Sequence, residues 1–282
     1  MTLTIRHLSH ALGAEISGVD LRRPLDDNTF GEIHRAFLEH CVLVFRRQPL
    51  TRQQHIAFSR RLGDLAKNNA KAPEKRTAEF PELFLVISRP KPTGEAATGR
   101  HSGQEWHTDQ SHLPAAAAVS LLRSVEIPDI GGDTMFANMY YAYESLSDGM
   151  KKLVEGLYGV HMEGNAVIDN STPERAAESR RVNPAAVHPV VRVHPETGRK
   201  ALYVSEQCKI LVGMTAEESK PLVQYLSNHA VRPQGVYRHQ WQKDDLVIWD
   251  NRATMHRARP FDDTKYRREL CRTTTLDIEM PV

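Results

Sequence analysis

Apolar residues recur with a two-residue period in nine short segments: 3–5, 42–45, 83–86, 118–123, 187–193, 201–204, 236–241, 246–249 and 269–275. These segments are rich in β-branched and other apolar side chains and are bounded by Gly, Pro, Asn or Asp, so each predicts a strand. A helical spacing takes over at 27–41, 52–62, 137–146, 148–157 and 215–228. The last of these opens with Thr215 and, three residues on, Glu218, a capping box ahead of Leu222, Val223 and Leu226. Strands dominate the second half, and helices gather in the first half and in insertions. The expected class is therefore mainly β with flanking helices (α+β), built on a double-stranded β-helix, or jelly-roll, core. No internal repeat, low-complexity tract or Gly/Ser-rich linker divides the chain, so residues 1–282 are expected to form a single domain.

Composition narrows the function. A hydrophobic content of 40% is enough for an ordinary core, and 37 basic against 35 acidic residues leave a formal charge of +2. No run of like charge suggests a nucleic-acid or membrane-binding surface, which favours small-molecule chemistry. Residues 1–20 do not build the apolar core of a signal peptide, and no later stretch approaches a membrane span. Cys41, Cys208 and Cys271 are odd in number and widely spaced, as expected for reduced thiols in a cytoplasmic protein. A homo-oligomer is expected.

The candidate chemistry begins at Trp106-His107-Thr108-Asp109, where His-x-Asp sets an imidazole and a carboxylate on one face of an extended segment. With 14 His and 35 acidic residues, chance supplies roughly two His-x-acid triplets, so the motif alone decides nothing. His161/Glu163 and His194/Glu196 are the other two. The former reads as a solvated strand end, and the latter as a tight hairpin turn with its acid facing solvent. What separates His107/Asp109 is a third candidate ligand, His256, at the end of the apolar strand and turn 245–256. Two imidazoles and one carboxylate form the facial triad of non-haem iron oxygenases, but the same set suits a catalytic zinc.

Downstream, Arg268 and Arg272 are four apart and share one face of a predicted strand with Leu270 and Thr274. Paired guanidinium groups are forks for carboxylates; a charged edge strand is the alternative.

In their order along the chain these motifs resemble the taurine and aryloxyalkanoate dioxygenase family of 2-oxoglutarate-dependent oxygenases. The resemblance rests on residues 13–21, the Trp106–Asp109 motif, Gly131-Gly-Asp-Thr134, residues 188–192 and 197–204, Trp249-Asp-Asn-Arg-Ala-Thr-Met-His256, and the two arginines. It implies iron(II) held by His107, Asp109 and His256, which are then the catalytic residues, with 2-oxoglutarate as co-substrate and O2 as oxidant. It implies Arg268, helped by the Thr134 hydroxyl, on the distal carboxylate of 2-oxoglutarate, and Arg272 nearer the metal, meeting an anionic group of a small-molecule substrate. Hydroxylation of that substrate would accompany release of succinate and CO2. Where the hydroxylated carbon also bears oxygen, nitrogen or sulfur, the product would fall apart. Taurine-specific members carry Asn where this chain has Gly103 and an aromatic residue where it has Cys208, and both departures argue against taurine. An aryloxyalkanoate or other carboxylate is the first expectation, and an alkyl sulfonate or sulfate ester the second. A zinc-dependent hydrolase and a non-catalytic metal-binding barrel are the readings of other classes. The polar segments 67–75 and 163–183 suit lids over a site as well as plain surface loops.

Overall fold

Fifteen strands and five helices follow one another among the described residues of the computed structural model, which are 3–67, 75, 77–88, 90, 103–162, 181 and 185–277. In chain order they are β1 (Thr4–His7), β2 (Ala14–Ser17), α1 (Asp27–His40), β3 (Val42–Phe45), α2 (Arg52–Ser59), β4 (Phe84–Ser88), β5 (Ala117–Glu126) and β6 (Thr134–Asn138). Then come α3 (Met139–Glu144), α4 (Asp148–Val154), β7 (Tyr158–Met162), β8 (Ala185–Pro189), β9 (Val191–Val193), β10 (Lys200–Leu202) and β11 (Cys208–Leu211). The chain continues through α5 (Ala216–Ala230), β12 (Val236–His239), β13 (Leu246–Asp250), β14 (Thr254–Ala258) and β15 (Arg268–Leu276).

A seven-stranded sheet in the order β1-β2-β3-β13-β5-β15-β4 carries the molecule, beside three smaller sheets, β12-β6-β14, β11-β7-β8 and β10-β9. Because successive side chains point to opposite faces, a strand buried on both sides feeds two cores. In β3, Val42 and Val44 join Val247 and Trp249 of β13 and Leu270 of β15 against Phe136 of β6 and Tyr237 of β12. Their alternates, Leu43, Phe45, Leu246 and Ile248, pack instead with Ile33, Ala36 and Phe37 of α1 and Phe58 of α2. The large sheet is thus covered by helices on one face and by the β12-β6-β14 sheet on the other. The functional side chains come from that second, inter-sheet face.

The predicted segments at 42–45, 118–123, 246–249 and 269–275 become β3, β5, β13 and β15. The capping box forms as read: Thr215 Oγ1 accepts from Glu218 N–H at 3.3 Å, and Glu218 Oε2 from Thr215 N–H at 2.8 Å. The helix expected from 137 starts only at Met139. Ala137 and Asn138 complete β6, where Ala137 pairs with both Val236 and Met255, and the Asn138 side chain accepts from Tyr141 N–H as the cap. Tertiary pairing outweighs local helical spacing there. The continuous strand expected at 187–193 divides at Val190 into β8 and β9, which belong to different sheets. No helix among the described residues is long and apolar enough to cross a membrane. The segments read as lids lie outside the described residues apart from Lys67, Lys75 and Arg181.

Candidate metal centre

His107 sits in an extended stretch outside the named strands, yet its backbone pairs reciprocally with β14. His107 N–H donates to His256 O at 3.0 Å and His256 N–H to His107 O at 2.9 Å. This pair sets the two imidazoles together, ring centroids 4.2 Å apart. Asp109 follows, and the candidate ligand atoms of His107, Asp109 and His256 lie within 4.8 Å of one another. Among the described residues no other group of three His, Cys, Asp or Glu side chains is gathered so tightly.

The donor set suits a divalent cation. His107 Nδ1 lies 2.8 Å from Glu105 O; a carbonyl only accepts, so Nδ1 is the donor and Nε2 is the nitrogen left to face a metal. His256 is packed against Trp249 and Phe136, at centroid distances of 4.7 and 6.1 Å. Burial, followed by the neighbouring His107, pulls its pKa down to about 3 and keeps the ring neutral. Its Nε2 stands 3.9 Å from Asp109 Oδ2. Burial alone would raise the Asp109 carboxyl, but Arg272, His256 and His107 together hold it well below the usual carboxylate range. Two imidazoles and an ionised carboxylate are thus gathered at one point, with Asp109 and His256 buried, as a facial triad requires. Zinc would accept the same atoms.

Arg268, Leu270 and Arg272 lie on the inner face of β15, while Cys271 and Thr273 face the helices. Arg268 is 7% exposed. It donates to Gly132 O at 3.0 Å, and its Nε has no hydrogen-bond partner. Burial pulls its pKa down to about 10, opposed by Asp133, so it remains a cation near neutrality. The close approach favours glycine: Gly132 has φ +70°, and a Cβ there would stand 3.2 Å from Arg268 Nε. Thr134, two residues beyond Gly132, is buried and accepts from Trp241 Nε1–H at 3.0 Å, leaving its hydroxyl proton to be donated elsewhere. Arg272 reaches Asp109 Oδ1 and lies over the Phe84 ring, 5.0 Å from its centroid.

Gly103 lies beside the triad, where a Cβ would rest 3.6 Å from His107 Cε1. Cys208 is placed differently. It belongs to the core cluster of α3, α4 and α5, and its thiol lies under Gly159, where a Cβ would come within 2.6 Å of Sγ. Gln207, the residue before it, reaches the metal motif instead, accepting from Thr108 N–H at 3.2 Å and Ser111 Oγ–H at 2.7 Å.

Neither His161 nor the His194/Glu196 pair joins the triad's cluster. His161 is 1% exposed, in contact with His188 and Tyr203, so its reading as a solvated strand end is corrected; Glu163 lies outside the described residues. His194 opens the expected hairpin turn between β9 and β10, but its ring is buried and bonded to Asp250 Oδ2 at 2.9 Å. Glu196 pairs with Arg252 at 2.9 Å and His34 at 3.1 Å. The sequence reading also passed over Ser120 and Asn251, which bond to Asp109. A serine in a strand and an asparagine in a turn carry no metal-site pattern of their own, though Asn251 lies inside the Trp249–His256 motif.

The family described as Taurine catabolism dioxygenase TauD, TfdA family matches residues 4–274. The chain belongs to that family. It is 35% identical to the alpha-ketoglutarate-dependent 2,4-dichlorophenoxyacetate dioxygenase of Cupriavidus pinatubonensis, over 98% of this chain and 99% of that one. It is 37% identical to an alkylsulfatase of Acinetobacter baylyi, over 91% of this chain and 80% of the relative. Among solved structures it is similar to AAD-2 in complex with Mn(II) and N-oxalylglycine, with a TM-score of 0.84 and 31% identity over 100% and 99% of the two chains.

Proposed function

We propose that this chain is an iron(II)- and 2-oxoglutarate-dependent dioxygenase that hydroxylates a small anionic substrate, an aryloxyalkanoate or another carboxylate. The net reaction takes the substrate C–H bond, O2 and 2-oxoglutarate to the alcohol, succinate and CO2. The carrying observation is Arg268, a buried cation whose Nε lacks a partner, on the strand face that also bears Arg272 at the triad. A metal site for hydrolysis would have no use for such a buried fork; a dicarboxylate co-substrate does.

His107, Asp109 and His256 are the residues that would hold the iron, and the relatives' alpha-ketoglutarate-dependent names support iron over zinc. Bound there, the metal would supply oxygen activation coupled to decarboxylation of the co-substrate. The chain's own residues supply the rest. Arg268 binds the distal carboxylate of 2-oxoglutarate, with Thr134 donating its free hydroxyl proton to the same group. The apolar wall of Phe136 and Trp249 excludes water from behind His256. Arg272 neutralises and orients the substrate anion, and Gly103 leaves space beside His107 for the substrate body.

The named relatives divide between a phenoxyacetate and an alkyl sulfate, which supports a sulfonate or sulfate ester as the second substrate reading. Two facing sheets support a double-stranded β-helix in one domain, and the three free, buried cysteines support a cytoplasmic setting.

Anaerobic titration of the iron(II) protein with 2-oxoglutarate is the test. A weak visible charge-transfer band is expected, and its absence from folded, metal-replete protein would refute the reading. Arg268→Leu should weaken the titration about 30-fold or more, for the loss of ~2 kcal/mol or more from a buried charge-assisted contact. A hydrolase would be indifferent to that change. Succinate release across a panel of carboxylates and sulfate esters then ranks the substrates.

A further inference from the structure

Asp109 is held by a chain of hydrogen bonds whose direction can be deduced. Asn251 Oδ1 lies 3.0 Å from Trp249 Nε1 and 3.3 Å from the backbone nitrogen of Asp109. Both of those groups can only donate, so the amide oxygen must face them and the amide nitrogen must face the other way. Asn251 Nδ2 accordingly donates to Ser120 Oγ at 2.9 Å. With its oxygen engaged by that donor, the Ser120 hydroxyl turns its own proton to Asp109 Oδ2, 2.7 Å away. Trp249, Asn251, Ser120 and Asp109 are all 4% exposed or less, so water does not compete along the chain.

We propose that Ser120 and Asn251 are positioning residues that set the rotation of the Asp109 carboxylate for metal binding, a role that rests on the metal site proposed above. The two act in series. Asn251 holds the motif backbone through Asp109 N–H and also orients the serine. Ser120 then fixes the Oδ2 side of the carboxylate, leaving its remaining lone pairs aimed at the imidazoles. Three parts of the chain contribute: Ser120 comes from β5, Asn251 from the turn after β13, the strand that pairs with β5, and Asp109 from the turn before β5. The relay therefore ties the turn that carries Asp109 to the central sheet. Without this support the carboxylate is held only from its Oδ1 side, by Arg272, and metal binding must then fix the Oδ2 side. Residues of this kind typically alter metal affinity by 10–100-fold.

The experiment is Mn(II) titration of the metal-free full-length protein, followed by the electron paramagnetic resonance of free Mn(II), with the thermal midpoint recorded for each variant. Binding by the parent protein establishes the site itself; if the parent fails to bind, the proposed site falls and not only the relay. Ser120→Ala and Asn251→Asp should each weaken binding 10–100-fold, Asn251→Asp because a carboxylate draws the serine proton away from Asp109. The double variant should lose little more than the worse single one, since the two residues share one path. Ser120→Thr, which keeps the hydroxyl, should restore affinity to within about threefold. If Ser120→Ala does not fold, Asn251→Asp carries the comparison. Affinity within threefold of the parent in a folded variant, or losses that simply multiply in the double variant, would overturn the proposal.

Discussion

Arg272 donates a guanidinium N–H to Oδ1 of Asp109, so the candidate metal ligand is ion-paired to the residue proposed to meet the substrate anion. The cation stabilises the ionised carboxylate, but it also competes with a metal for the same oxygen and repels a second positive charge nearby. Arg272→Gln should therefore bind Mn(II) more tightly in the absence of substrate, by about tenfold or ~1.4 kcal/mol. The same variant should raise the KM for the anionic substrate. Titration of the metal-free protein checks the first effect, and weaker Mn(II) binding would show that Arg272 organises the ligand rather than competing for it.

Gly159 and Cys208 make a second pair that can be tested. A Cβ at 159 would lie 2.6 Å from Cys208 Sγ, which belongs to the buried core cluster. Gly159→Ala is expected to cost about 1–3 kcal/mol by overpacking. Adding Cys208→Ala should recover part of that loss, because the displaced atom is then gone. Urea midpoints of the two single variants and the double variant give the coupling. Additive losses would place the thiol elsewhere.

Stability should fall on the acid side because of His55 and His161. Burial, followed by Arg123 for His55 and by His188 and Arg192 for His161, pulls both pKa values down to about 3. Both rings are neutral in the folded protein, while the unfolded chain protonates them near 6.5. Between those values the unfolded state binds more protons, so stability present above pH 6.5 is lost as pH falls toward 3. Each histidine contributes about 1.4 kcal/mol per pH unit inside that window. Urea midpoints at pH 7.5, 6 and 5 should decline, and less steeply in His161→Leu; an equal slope in that variant would mean the ring is not buried neutral.

Arg252 donates from Nε and Nη2 to the two oxygens of Asp250, both at 2.8 Å, and from Nη1 to Glu196 at 2.9 Å. Arg252→Leu leaves the buried Asp250 carboxylate with His194 and without its cation, at an expected cost of about 3–5 kcal/mol. Arg252→Lys keeps the charge but loses the planar fork, and should recover less than half of that loss. Equilibrium unfolding of the two variants against the parent protein measures both numbers.

The two-residue period over 246–249 and 269–275 was enough to locate β13 and β15, and it put Arg268 and Arg272 on a common face before any contact was known. Alternation is local information: it follows from the pleat and survives in any arrangement of the sheets. For the same reason it passed over β14, since Thr254–Ala258 acquires its strand character by pairing with β6 and with the backbone of His107.

Residue type and order along the chain by themselves marked the triad, the glycine turn and the two arginines as candidates, because a metal and a dicarboxylate demand particular atoms whatever the surroundings. Only the tertiary structure decided how those atoms are held. It placed the Cys208 thiol in the core and Gln207 against the metal motif, joined Ser120 and Asn251 to Asp109, and set Arg272 on the same carboxylate. Such contacts depend on the register of strands far apart in sequence, and a one-residue shift would turn Ser120, Cys208 or Arg272 to the opposite face of its sheet.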